Sequence, residues 1–171
     1  SVVWYFQRVA REVGAARYKE ALSRFAYGNQ DVSGDVTAFW LNDTLTISPR
    51  EQRVFLEKLF ADTLPASPRA RALTRQLMET GGDARADLRD RLPFLDELPP
   101  EVHLRGKTGT AAHEGAGGEL MAVGWFVGAV EVNGRTHVFA YRVRSDDDEK
   151  GGAYAAKSAY RRLQERGVIP R

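Results

Sequence analysis

The chain has 171 residues, enough for one domain with a sizeable core, and its 43% apolar and 28% charged content is that of a soluble globular protein. Its net charge is only +2, and acids and bases alternate along the sequence, so it lacks the concentrated basic face of a nucleic-acid binder and no nucleic-acid partner is expected. Zero cysteines exclude disulfides, thiolate catalysis and cysteine-ligated metals, and no apolar run reaches the ~18 residues of a membrane span.

Ser1 precedes Val2, Val3, Tyr5, Phe6, Val9, Ala10 and Val13, spaced as one apolar helix face that stops at Gly14. This predicts Ser1 as N-cap, with Trp4 and Tyr5 as core residues. A free α-ammonium there would oppose the positive end of the helix dipole, so residues upstream of this helix are expected. Tyr18, Leu22 and Phe25 mark a second short helix ending at Tyr27-Gly28-Asn29. The stretch 30–46 is polar and turn-rich around the bulky pair Phe39-Trp40.

Ser48-Pro49-Arg50-Glu51 is a capping box with proline at the first helical position, opening a helix with Val54, Phe55, Leu59 and Phe60 facing inward. Ser67-Pro68 starts the next helix, which presents Leu73, Leu77 and Met78 before Gly81-Gly82. Residues 83–100 are charged and end in prolines, predicting a surface excursion with one short helical turn.

The period then changes from helical to alternating. Residues 102–110, 121–132 and 135–144 read as strands, the last two joined by Asn133-Gly134 as a type I′ hairpin. Residues 146–152 form a solvated acidic loop, and a final helix runs from about Ala153 to Gly167. The class is therefore α+β, an antiparallel sheet flanked by helices. Three strands are few for so many helices, so further strands are expected from a missing N-terminal part.

The strand segment Lys107-Thr108-Gly109-Thr110 places an ammonium, two hydroxyls and flexible backbone along a strand edge, equipment for holding an anionic, peptide-like substrate. His103, His113 and His137 are scattered singly without metal-ligand spacing, so no metal site is expected.

Each short motif has an ordinary structural reading: an N-cap at Ser1-Val2-Val3, a helix end at Tyr27-Gly28-Asn29. Together with Lys107-Thr108-Gly109 they resemble the ordered motifs of the penicillin-binding serine transpeptidase superfamily. Within it the chain is similar to class D β-lactamases (oxacillinases) and the β-lactam-sensing receptor domains related to them. The likeness is carried by Ser1-Val2-Val3-Trp4-Tyr5-Phe6, the run Tyr27 to Gly34, Phe39-Trp40-Leu41, Ile47-Ser48-Pro49 and Gly124-Trp125-Phe126-Val127-Gly128.

The resemblance implies a β-lactam small molecule as partner and a periplasmic or secreted bacterial location. It also implies that residues 1–171 are the C-terminal larger part of a single domain. Ser1 would relay a proton between the catalytic lysine and the substrate nitrogen, and Val3 would line the pocket of the general base. That base is a lysine carrying a CO₂-derived carbamate, and no other cofactor is implied. Trp40 would steady it through its indole N–H. Lys107 would supply positive charge beside Ser1 and the substrate carboxylate. Thr108 and Thr110 would bind that carboxylate, Thr110 N–H would form half of an oxyanion hole, and Trp125 would either pack in the sheet core or contact substrate.

Two departures stand out. No Ser-x-x-Lys exists: Ala16, Phe55, Leu104, Asp147 and Tyr154 lie three before Lys19, Lys58, Lys107, Lys150 and Lys157. The acylating serine is therefore expected upstream, and this fragment is expected to be inactive. Secondly, Ala155 or Ala156 falls where many oxacillinases carry a carboxylate-binding arginine. Thr110 after the glycine is the residue transpeptidases and sensing receptors tend to carry.

Overall fold

A computed structural model describes residues 2–42, 44–80, 92–114, 120–146 and 151–170. Contacts gather the chain into two compact units, Ser1–Phe55 and Leu56–Arg171.

In the first unit, α1 (Val3–Val13) and α2 (Ala15–Phe25) meet at Gly14, whose φ of 79° makes the turn between them. Ser1 lies outside the described residues, and Val2 takes the N-cap position of α1 in extended conformation. The expectation that Trp4 and Tyr5 are core residues is corrected: they are 67% and 52% exposed, and Val2, Val3 and Phe6 are exposed beside them. Apolar spacing records that a face is built for burial, but not which segment lies over it. In α1 only Ala10 is buried.

α2 closes with Ala26 in the left-handed region. The polar stretch that follows is built from side-chain turns, in which Asp31, Asp35 and Asn42 each accept from the backbone N–H two residues on, at 2.7, 2.8 and 3.0 Å. These bonds to the ionised form hold the Asp31 and Asp35 carboxyls below the usual range. The unit's small core is Leu22, Val32 and Phe39, with Tyr18, Tyr27, Trp40 and Leu45 packed against it.

α3 (Pro49–Phe60) begins with the predicted capping box: Ser48 N–H donates to Glu51 Oε2 at 2.9 Å, and Glu51 N–H returns to Ser48 Oγ at 3.2 Å. Its inward face is Gln52, Leu56 and Leu59; Val54, expected inside, is exposed. α4 (Pro68–Leu77) has Ser67 as N-cap, accepting from Ala70 N–H at 3.1 Å. Leu73 and Leu77, expected to face inward, are exposed, and of that trio only Met78 is buried.

The C-terminal unit holds a three-stranded antiparallel sheet in the order β1 (His103–Glu114), β2 (Leu120–Val132), β3 (Arg135–Ser145). Asn133 and Gly134 both have positive φ, 52° and 69°, as a type I′ hairpin requires. α5 (Gly152–Glu165) packs across one face of all three strands. Between sheet and helix lie Leu104, Phe126, Val130, Ala155, Ala156, Ala159 and Tyr160. Of the stretch 83–100 expected to be a surface excursion with one short helical turn, residues 83–91 lie outside the described residues, and the part from Leu92 onward instead feeds this core. Pro93–Glu97 is a 3₁₀ turn whose Phe94 stacks on Tyr160 at 4.7 Å, and Leu92, Leu95 and Val102 are buried with it.

β1 and β2 approach closely at glycine pairs. Gly128 lies opposite Gly106, and a Cβ on Gly128 would stand 1.9 Å from the Arg105 carbonyl oxygen. Replacing Gly128 by Ala must therefore push two hydrogen-bonded strands apart. We expect Gly128→Ala to cost about 2–4 kcal/mol in urea unfolding, at an unchanged m-value.

Candidate active site

The Lys107-Thr108-Gly109-Thr110 segment is placed by backbone pairing. Gly106 N–H donates outward to the Met78 carbonyl at 2.7 Å, Thr80 Oγ1 donates to the Leu104 carbonyl at 2.5 Å, and Glu79 bridges Arg105. Alternation along an antiparallel strand then turns the N–H and C=O of Thr108 and Thr110 to the same outer side as those of Gly106. Residues 78–80 occupy that side only as far as Gly106. From Lys107 onward the outer edge has no strand partner among the described residues.

Side chains divide across the two faces. Thr108 and Thr110 point to the α5 side, where Gly152 N–H donates to Thr110 Oγ1 at 2.8 Å. A Cβ on Gly152 would stand 2.8 Å from the Gly109 carbonyl oxygen, so the helix start is drawn tightly against this segment. The Thr110 hydroxyl accepts from the helix and so keeps its own proton available to donate. The positive end of the α5 dipole lies beside both threonines, which favours an anion there.

Lys107 lies on the opposite face, with its Nζ folded back to donate to the Thr108 carbonyl. Its ammonium is exposed by area, yet partial desolvation lowers its pKa from the ordinary lysine value. Trp125 sits directly across from Gly109 on the Lys107 face. It is half-buried under the Arg142 guanidinium at 5.7 Å and does not join the α5 core, which corrects the core expectation. Ala155 and Ala156 lie on the inner face of α5 and are wholly buried. Both face the helix–sheet core and are alanine, so no cationic side chain stands at either of these two positions.

The Tyr27-Gly28-Asn29 motif stands in the first unit. Gly28 has φ of 53°, and a Cβ there would fall 2.1 Å from the Thr46 carbonyl oxygen. Asn29 clamps the returning chain: its Nδ2 donates to Thr44 O at 2.7 Å, its Oδ1 accepts from Thr46 N–H at 3.0 Å, and its own N–H donates to Thr46 O at 3.0 Å. Trp40 lies in the loop this clamp closes, half-buried and edge-on to Phe39 at 5.1 Å. Val3 is exposed in the first turn of α1. The motif thus gathers Tyr27, Gly28, Asn29 and Trp40, while Lys107, Thr108, Gly109, Thr110 and Trp125 form a second group on β1 and β2.

One residue escaped the motif reading. Gln52 is only 7% exposed, and its Oε1 accepts a 2.6 Å hydrogen bond from the Tyr27 hydroxyl. The signal for it was a polar residue at i of an i, i+4, i+7 stripe whose other members are Leu56 and Leu59. No group of three or more metal-ligating side chains occurs among the described residues. No described helix is long and apolar enough to cross a membrane.

Residues 1–164 match the penicillin binding protein transpeptidase domain. The chain is 36% identical over 144 residues to a probable β-lactamase, YbxI, of Bacillus subtilis, covering 84% of this chain and 45% of that protein. It spans about half the length of the curated relatives it matches. Its fold is similar to a class D β-lactamase from Nostoc, with a TM-score of 0.77 at 28% identity, over 96% of this chain and 61% of that one. It is also similar to the C-terminal domain of the Bacillus licheniformis BlaR penicillin-receptor. There the TM-score is 0.79 at 26% identity, over 98% of this chain and 59% of that one.

Burial pushes the Tyr27 hydroxyl up to about 12. Because the folded state favours the neutral phenol, the stability this represents is whole below the unfolded value of about 10 and is lost as pH rises towards 12. In an ultraviolet difference titration Tyr27 should ionise later than an unperturbed tyrosine. Tyr27→Phe should remove that late step and flatten the alkaline loss of stability.

Proposed function

The chain belongs to the penicillin binding protein transpeptidase domain family, and from that premise we propose that it is the C-terminal larger part of a class D β-lactamase-like domain. The whole protein is then a bacterial serine hydrolase, periplasmic or secreted, that opens the β-lactam amide through an acyl-enzyme. The observation that carries this reading is the outer edge of β1 from Lys107, without a strand partner among the described residues, with a hydroxyl pair set against a helix N-terminus.

Each residue then has a physical task. The Thr110 N–H, turned outward from β1, is half of an oxyanion hole for the developing alkoxide. The Thr108 and Thr110 hydroxyls hold the substrate carboxylate, a task for which the α5 dipole compensates the missing arginine, and the Lys107 ammonium supplies positive charge beside Ser1 and that carboxylate. Gly109 keeps the strand edge low, and Trp125 supplies an apolar wall on the Lys107 face. Ser1 is assigned proton relay to the leaving nitrogen, and Val3 the lining of the base pocket. The 171 residues contain no Ser-x-x-Lys, so in this reading the nucleophile and its lysine belong to sequence outside them.

The Trp40 indole N–H has no hydrogen-bond partner among the described residues, although its ring is half-buried. An orphaned donor of this kind fits a lysine carbamate, which when bound supplies the general base. Trp40 would hold it by a charge-assisted hydrogen bond.

A second reading is favoured by Thr110 standing in for arginine and by the likeness to a penicillin-receptor domain. In it the same fold is acylated but released too slowly for turnover, as a sensor. The lifetime of the acyl adduct on the full-length protein separates the two: rapid release is the enzyme, a persistent adduct the sensor.

The purified 171-residue chain should neither hydrolyse a chromogenic cephalosporin nor retain a fluorescent penicillin after denaturation; turnover by it would show the nucleophile misplaced. In the full-length protein, Lys107→Ala and Trp40→Phe should each lower the second-order rate of acylation or hydrolysis by about 10²–10³-fold. Rates equal to those of the unsubstituted protein would refute the two assignments.

A further inference from the structure

We propose that Gln52 is a positioning residue for Trp40, acting through the Tyr27 hydroxyl; the functional consequence rests on the role given to Trp40 above. The amide is out of place by burial alone. It occupies the inward stripe of α3 with Leu56 and Leu59, where a leucine would bury more apolar area without desolvating a polar group. What it gains is a directional bond, 2.6 Å from Tyr27 Oη.

The Tyr27 ring is held on three sides. It meets Phe55 edge-on at 5.0 Å, it packs on the Leu22, Val32 and Phe39 cluster, and its hydroxyl is tied to α3. Two residues later Asn29 clamps Thr44 and Thr46, and Leu45 N–H closes onto the Phe39 carbonyl at 3.0 Å. Trp40 therefore lies between two anchored points: Phe39 in the cluster and the 44–46 segment on Asn29. Both anchors refer back to the position of Tyr27. Van der Waals packing alone lets a half-buried indole roll, whereas a donor meant for a buried anion must be held within about 0.5 Å.

The test uses the indole N–H signals of the ¹⁵N-labelled full-length protein, among them those of Trp4, Trp40 and Trp125, each assigned by its Trp→Phe variant. Gln52→Leu should shift the Trp40 signal and speed its hydrogen exchange about tenfold, leaving Trp4 unchanged. The double variant Tyr27→Phe/Gln52→Leu removes both polar partners, so it should recover thermal stability without an unsatisfied hydroxyl. Its Trp40 exchange should nonetheless stay fast. A role that is merely structural would restore both together, and that result overturns the proposal, as does a Trp40 signal unmoved by Gln52→Leu. If Gln52→Leu does not fold, the double variant alone decides by its Trp40 exchange rate. In the full-length protein, ¹³C-bicarbonate should show half-maximal lysine carbamate at about tenfold higher bicarbonate in the double variant, and an equal midpoint refutes the functional consequence. Absence of any carbamate in the unsubstituted protein would instead defeat the role of Trp40, a result separable because the indole measurement involves no CO₂.

Discussion

How far the outer edge of β1 is occupied decides what the C-terminal unit offers to a ligand. Residues 78–80 satisfy the Leu104 carbonyl and the Gly106 N–H, and among the described residues the pairing then stops. From Lys107 the outer edge of the strand has no strand partner among the described residues, and an open strand edge is the kind of surface that can take up an extended peptide-like segment. A fully paired edge would have left Lys107 and the threonines as ordinary surface. An edge open along its whole length would not have fixed where a ligand begins.

The same economy governs the α5 contact. Gly151 and Gly152 let the helix start press against Thr108 and Thr110, so one N–H satisfies a hydroxyl lone pair while the helix dipole faces the strand. The helix's inner face is alanine at 155, 156 and 159, and small side chains are what permit so close an approach to Phe126 and Val130. In the first unit the corresponding device is a clamp. Asn29 spends its side-chain amide and its backbone N–H on the 44–46 segment, and Gly28 leaves room for the Thr46 carbonyl. Tyr27-Gly28-Asn29 is thus more than a helix end: it also fixes the loop between residues 39 and 46. Trp40 lies in the loop that this helix ending staples.

Where expectation and structure part, the reason is the same in each case. Val54, Leu73 and Leu77 lie on helices with apolar residues on more than one side, and periodicity alone does not say which side meets a neighbour. Leu92, Phe94 and Leu95 sit in a charged, proline-rich stretch that has no period at all, yet the short 3₁₀ turn aims them into the core. Trp4 and Tyr5 show the limit from the other direction: a face can be apolar and, within these units, still exposed.

Local chemistry was sufficient for the caps at Ser48 and Ser67, the Asn133-Gly134 hairpin, the three strands and the motif residues. Each of these is set by backbone geometry within a few positions. Only the tertiary structure decided that Thr110 hydrogen-bonds a helix start, that Trp125 leaves the core for the Lys107 face, and that Gln52 ties Tyr27 to α3. Those contacts join residues 25 to 42 positions apart or turn on which sheet face is covered, and spacing along a chain carries no information about either.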